Sequence, residues 1–584
     1  MLTKSNGTSS IPGRIVVIDM LIIGSLWCVS LFIVNPFGNF PLHDDWSFGL
    51  TVKHLIENGE FRPTGWVSMP LITNVLWGSL FCIPSGFSFT ALRLSTLTLS
   101  LFGILGGYLL IRDLRQPRWL AAIAALTLGF NPIYYALSNT FMTDVPYTAI
   151  TILSAVFFAR NLRTGSDLDL LIGTTLAVVA TLSRHLAISV PLAFAVSLIL
   201  TRGFTNRNIL RTAIPLVLCL CALLVFQQWL TASGRLPSLY HAKTERLLHL
   251  LANPEALVMS LAIHTYAGLL YLGLFLLPVL IFTVADILRF HRKTLALTIT
   301  MIALLTTGKM ILNRSGLPLM PVHYDVLIKS GIGPLFLHDT FVLHLNHVPA
   351  LPMGFWIVTT ALSLLGAAFL IAVLGVRAIN VVQRLQSGSK ISDNEAVGIF
   401  LFFSAMIYLL PLLVGGFFDR YLVPAIPFLV AGIAGVSGHF PSKFPCQHKA
   451  FRLAAAVILA AFSLFAICGT RDYLAWNRVR WEALHDLMEN KHVNAEDIDG
   501  GFEFNGLYLY NPLYLKDPRK SWWWVQRDTY LVGFGNVPGY KVIKEYSYPH
   551  WMPPHVQKVV VLQQDPQPTQ KKGDAPAEQK APAE

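Results

Sequence analysis

The first stretch of this sequence that could do chemistry is PLHDDWSFGLTVKHLIENGEF, in which Asp44 and Asp45 stand side by side just beyond an apolar run. A carboxylate at an apolar boundary is partly desolvated, which raises its pKa and makes it a better proton acceptor, so the pair offers a general base. Asp45 is equally placed to N-cap a helix starting at Trp46, which makes Asp44 the better candidate. A second acid, Asp144 in SNTFMTDVPYTAI, heads another apolar run, with Pro146 in the first helical turn where its missing N–H costs nothing. It reads either as an N-cap or as a second acid of the same site. Arg184 and His185, in TLSRHLAISVPLAF, interrupt an apolar stretch too long for one span, and ionisable groups so near hydrocarbon mark either function or, for Arg184, snorkelling to headgroups. GGFFDRYLVPAIPFL puts Asp419, Arg420 and Tyr421 at a similar boundary. The planar fork of an arginine suits a phosphate there, an interfacial Asp419–Arg420 anchor being the plainer alternative. Carboxylates that take a hydroxyl's proton and cations that hold a leaving phosphate are the parts of a glycosyl transfer from a phosphate-linked lipid. No Gly-rich phosphate loop is present, which disfavours a nucleotide donor.

The elements that must position these residues are membrane spans. Of 584 residues, 54% are hydrophobic and only 13% charged, and the mean hydropathy is +0.55, whereas a soluble domain is about a quarter charged. About thirteen apolar runs of spanning length follow one another, near 15–35, 89–111, 119–138, 145–160, 168–183, 186–201, 210–230, 259–286, 294–312, 353–376, 397–415, 421–438 and 452–469. The first lacks a small-residue cleavage site and reads as a retained span. With a cytoplasmic N-terminus the basic loops around Arg112, Arg160, Arg202, Arg292, Arg377 and Lys449 all fall on one side, as the positive-inside rule requires. The segments 36–88, 139–144, 183–185, 231–258, 313–352, 416–420 and all after 470 then face outward and hold nearly all the unusual chemistry. The net charge of +12 belongs to those loops rather than to a nucleic-acid interface. The six cysteines form neither a CxxC pair nor a zinc spacing. Residues 1–470 thus read as a membrane domain, 471–565 as a small outer α+β domain, and 566–584, with no large apolar residue, as a disordered tail. The stretch Trp46–Asn58 is amphipathic and suits the membrane interface.

HDDW after the first span, TDVPY at the head of the fourth, SRH before the sixth, FDRYLVPAIP near the end and IDGGFEFNG in the outer domain resemble the bacterial membrane glycosyltransferases of the protein-mannosyltransferase and aminoarabinose-transferase superfamily, glycosyltransferase family 39-like. The resemblance runs from residue 15 to about 510 and is strongest over 36–190. It implies a GT-C fold, a polyprenyl-phosphate sugar as donor, and inverting transfer on the periplasmic side of the cell inner membrane. Carried over, it makes Asp44 or Asp45 the acidic-loop residue that meets the acceptor, Asp144 the supporting acid, and Arg184 and Arg420, with Tyr421 beside them, ligands of the donor phosphate. Where eukaryotic protein mannosyltransferases have Asp-Glu this chain has Asp-Asp, and it carries no MIR-type insertion, so an envelope glycan or lipid stands beside protein as acceptor. No metal or other cofactor is expected, because the arginines already supply positive charge. His43, His185, His323 and Tyr324 are further candidate substrate contacts, with His241, Lys243 and Asp325 in the same loops. Trp522, Trp523 and Trp524 either stack on sugar or fill the outer domain's own core.

Two rivals use the same residues differently. A transporter or flippase for a lipid-linked or anionic solute would line a path with these charges, but would place them near mid-membrane and show repeats. A non-catalytic sensor would bind the lipid donor without turning it over.

Overall fold

The computed structural model describes residues 13–284, 287–288, 291–313, 319–322, 325–387, 391–436, 445–514 and 523–565. His323, Tyr324, Trp522 and the 566–584 tail lie outside them. Each apolar run read from the sequence coincides with helix: α1 (Gly13–Val34), α2 (Asp45–Asn58), α3 (Ile72–Cys82), α4 (Phe89–Asp113), α5 (Arg118–Gly129), α6 (Pro132–Ser138), α7 (Asp144–Thr164), α8 (Asp167–Thr181), α9 (Ser189–Arg202), α10 (Asn206–Ala232), α11 (Ala242–Ala252), α12 (Pro254–Phe275), α13 (Arg292–Asn313), α14 (Met353–Gln386), α15 (Asp393–Gly415), α16 (Ala425–Val436) and α17 (Pro445–His485), with α2, α3 and α11 in between. Among the described residues nine helices are long and apolar enough to cross a membrane, ten if one bent pair is a single span. The protein is an all-α polytopic membrane protein with a small sheet at its C-terminal end.

The bent pair is α5 and α6, which meet at 62° where one span was expected over 119–138. Pro132 disfavours helix at the residue before it, so Asn131 turns to φ −57°, ψ 127°, and its side chain accepts from the amides of Ile133 and Tyr134, both at 3.1 Å, to start a new helix. The bend carries the chain through the interior: Asn139, Thr140, Phe141, Met142, Thr143 and Asp144 are all buried. Around it α4 packs on α7, α7 on α8, and α15 on both α9 and α16.

Two departures from the sequence reading concern the C-terminal part. Helix α17 runs unbroken through 470/471, the boundary expected between domains, and at about 1.5 Å per residue its 41 residues are about 60 Å long. It ends beneath a four-stranded sheet of order β3-β4-β6-β5, here β3 (Ile498–Asp499), β4 (Tyr530–Gly533), β5 (Tyr540–Trp551) and β6 (Pro554–Gln564), with α18 (Phe502–Leu509) after β3. A short hairpin, β1 (Leu327–Ile328) and β2 (Gly331–Ile332), precedes it in the chain. The start of α2 is also buried inside the protein rather than laid on the membrane surface, because Trp46 packs against Phe502, Tyr510 and Trp524 of the C-terminal region.

Candidate active site

The segment between α1 and α2 has no regular structure, and Arg93 of α4 fastens it. Its buried guanidinium donates to the carbonyls of Pro36 (2.6 Å), Gly38 (3.1 Å) and Phe40 (3.0 Å). Each is a charge-assisted bond that satisfies a loop carbonyl. Beyond this tether the two aspartates part. Asp44 lines a cavity of about 900 Å³, whereas Asp45, 2% exposed, does not reach it. Neither caps α2: Asp44 stands at the N-cap but its side chain bonds no amide of the helix, and Asp45 Oδ2 accepts from the amide of Leu42 behind it at 3.3 Å. Burial is the main cause that pushes the Asp45 carboxyl up to about 8, against the amides of Phe141 and Leu42 and the charge of Arg93. A folded pKa above the unfolded one gives stability that is complete below about pH 4 and lost as pH rises toward about 8. Asp45→Asn, which mimics the neutral acid, is therefore expected to flatten the fall in melting temperature between pH 5 and 8. An unchanged slope in thermal scans would refute the buried-acid assignment.

Arg420, in the turn between α15 and α16, gathers the acids. Its Nη1 lies 2.6 Å from Asp325, its Nη2 3.6 Å from Asp44 and its Nε 3.8 Å from Asp144. Arg420 is only 6% exposed, so these charges act at low dielectric. Asp144, at the head of α7, caps nothing: both its oxygens are buried without an aligned hydrogen bond, and Oδ1 lies 2.8 Å from Arg184 Nη1. Arg184 Nε donates to Thr143 Oγ1 at 2.8 Å. Asp325 is pushed up to about 6 by burial, partly offset by Arg420. Asp419, next to Arg420, takes no part in the cavity; it accepts from the amides of Val326 (3.2 Å) and Leu327 (2.8 Å) and so pins the start of the hairpin that presents Asp325.

The three expected phosphate ligands, Arg184, Arg420 and Tyr421, all line the cavity. All three nitrogens of Arg420 lie within ion-pair distance of carboxylates, but only Nη1 is at hydrogen-bond distance, and Nε is buried without a hydrogen-bond partner. Lys243, on the first turn of α11, lines the cavity as well, donating to Tyr421 Oη at 3.1 Å while Arg184 lies over the same ring at 5.0 Å. Among the described residues no carboxylate lies within ion-pair distance of Lys243. Trp66, which nothing in its local sequence singles out, fixes the candidate base by donating from Nε1 to Asp44 Oδ1 at 2.8 Å.

The remaining expected residues divide. His43 lines the cavity, and burial, followed by the charge of Arg420, holds its pKa well below the usual imidazole value, so it is neutral there. His185 stands apart, 3.1 Å from Tyr240 Oη, and is not a wall residue. Trp523 lines the cavity against Phe341, with ring centroids 4.8 Å apart, while Trp524 is buried against Trp46 and Trp66. The rest of the wall is largely apolar, including Phe336, Leu345, Val348 and Phe418.

Residues 69–231, from just before α3 to the end of α10, match the sequence profile of the dolichyl-phosphate-mannose-protein mannosyltransferase family. The motif resemblance to membrane glycosyltransferases therefore extends over the segment that carries Asp144 and Arg184. Among solved structures, the archaeal oligosaccharyltransferase AglB from Archaeoglobus fulgidus, in complex with an inhibitory peptide and a dolichol-phosphate, is 14% identical over 81% of this chain and 58% of its own, with a TM-score of 0.42. ArnT from Cupriavidus metallidurans bound to undecaprenyl phosphate is 14% identical over 94% of this chain and 98% of its own, with a TM-score of 0.35. The chain spans 58% of the archaeal enzyme's length. Among curated proteins no sequence matches.

Proposed function

We propose that the protein is a membrane glycosyltransferase that moves a sugar from a polyprenyl-phosphate donor to an acceptor hydroxyl with inversion. The observation that carries this reading is one cavity in which a fixed, partly exposed carboxylate, Asp44, faces cations that a phosphate can reach. The family matched by residues 69–231 is described by a dolichyl-phosphate sugar donor, which fits a largely apolar cavity. Asp44 takes the proton of the acceptor hydroxyl, the oxygen attacks the anomeric carbon from the face opposite the phosphate, and the carbon–oxygen bond to phosphate breaks. The leaving polyprenyl phosphate keeps that electron pair, and its charge is met by Arg184 and Lys243 beside Tyr421. Arg420 orients Asp44 and balances Asp144 and Asp325.

In this reading the basic loops are cytoplasmic and the cavity opens on the periplasmic side of the inner membrane. This reading calls for no metal, because Arg420 already places positive charge among Asp44, Asp144 and Asp325. Chelation by EDTA is expected to leave the transfer rate unchanged, and a loss restored by Mg²⁺ or Mn²⁺ would overturn that part. Lys243→Gln should weaken polyprenyl-phosphate binding about tenfold and lower kcat as well, as expected for a residue that meets the charge developing on the leaving phosphate. Titration with polyprenyl phosphate in detergent measures it, and an unchanged affinity would return the phosphate to other ligands.

The transporter reading keeps one observation in its favour, the apolar cavity, but the charged groups cluster around Arg420 at the ends of helices and in loops, not along a path.

A further inference from the structure

The stretch IDGGFEFNG of the C-terminal region contains a buried carboxylate that the transfer reaction does not use. Glu503 and Arg480 are both 0% exposed and pair at 2.8 Å through Oε2 and Nη1. Arg480 is itself held by the carbonyl of Gly500 (2.9 Å) and by Asn477 Oδ1 (3.2 Å). The other oxygen, Glu503 Oε1, accepts from the backbone amide of His43 at 3.1 Å, across 460 residues of chain. His43 has φ +54°, the left-handed region that a side chain with a Cβ enters only at a cost, and the next residue is Asp44. Helix α18 is seated directly on α2, for a Cβ added at Gly506 would stand 2.3 Å from the Trp46 ring. The amide of Phe502 donates to the carbonyl of the cavity residue Phe336 at 3.1 Å. A strained peptide adjoining the candidate base is thus clamped by a carboxylate from the far end of the chain.

Resting on the reading of Asp44 as the base, we propose that Glu503 is a positioning residue, which holds the His43 peptide in its left-handed conformation and so aims the Asp44 carboxylate at the acceptor hydroxyl. The ion pair with Arg480 orients Glu503, while the bond to His43 does the positioning. Removing Glu503 alone would leave Arg480 buried and unpaired, which can prevent folding by itself. The informative comparison is therefore between two double variants without the charge pair, Arg480→Met/Glu503→Gln and Arg480→Met/Glu503→Leu. The glutamine keeps a carbonyl oxygen for the His43 amide, and the leucine has none.

Both are expected to melt at similar temperatures and to bind polyprenyl phosphate with equal affinity. The leucine variant should have a kcat about ten- to a hundredfold lower than the glutamine variant, with donor KM changed less than about twofold. Its His43 amide should also lose protection from hydrogen exchange, while the glutamine variant keeps it. Equal kcat, or equal protection at His43, would overturn the proposal. A wild-type protein that transfers no sugar would remove the reading of Asp44 instead, whereas the exchange measurement reports on the clamp whatever the activity.

Discussion

Asp44→Asn is expected to lower the rate of sugar transfer by about 10²- to 10⁴-fold, the range spanned by loss of a positioned general base. Asp45→Asn should change it by less than about tenfold. The two residues are neighbours of the same type, so composition and location cannot separate them, but their surroundings do. Asp44 keeps 21% of its side chain exposed, faces the cavity, and is fixed on one oxygen by Trp66 and approached on the other by Arg420 at 3.6 Å. Asparagine preserves the acceptor atom for Trp66 and nearly the same shape, and removes only the capacity to take a proton. Asp45 is sealed below, with a carboxyl pushed up to about 8, so asparagine resembles the form already present at neutral pH. Single-turnover rates of the two purified variants measure the contrast. Equal losses, or a larger loss at Asp45, would move the base out of the cavity and contradict the assignment.

The second large effect belongs to Arg420. Replacing it with methionine leaves Asp44, Asp144 and Asp325 around an empty centre, with Arg184 as the nearest remaining guanidinium. Leaving one partner of a buried ion pair uncompensated costs about 3–5 kcal/mol, so Arg420→Met is expected to lose both transfer and a large part of its thermal stability. Arg420→Lys should recover some stability and little transfer, because a single ammonium cannot meet three carboxylates that a planar fork reaches from three sides. Combining Arg420→Met with Asp325→Asn, which removes the closest partner at 2.6 Å, should restore melting temperature more than activity. A methionine variant that melts like wild type and still transfers sugar would show that the cluster is ornamental.

Much of this architecture was readable without coordinates because the forces that build it are local to the chain. Apolar runs of spanning length mark the helices, and charges that interrupt them mark the ends where Asp44, Asp144, Arg184 and Arg420 meet. The bend at Asn131–Pro132 was also written locally, as a residue before proline, but hydropathy alone merges it into one span. What stayed hidden depends on partners distant in sequence. The amphipathic pattern of α2 does not tell a membrane surface from a protein surface, and its partner is α18, more than 400 residues later. The type and position of Arg420 suit a phosphate, but its three carboxylates come from three separate segments and meet it only in the folded chain. Trp66 carries no periodicity or motif at all, and Glu503 lies in a motif whose link to His43 exists only after folding.

The most direct test of the central claim is transfer by the purified protein in liposomes supplied with radiolabelled polyprenyl-phosphate sugars and an envelope fraction as acceptor, beside an Asp44→Asn control. The expected result is label entering an acceptor with the wild type and not with the variant, with free polyprenyl phosphate released in equal amount. Label that crosses the bilayer still attached to its lipid, at the same rate in both proteins and with no product formed, would contradict a transferase and make the cavity a translocation path.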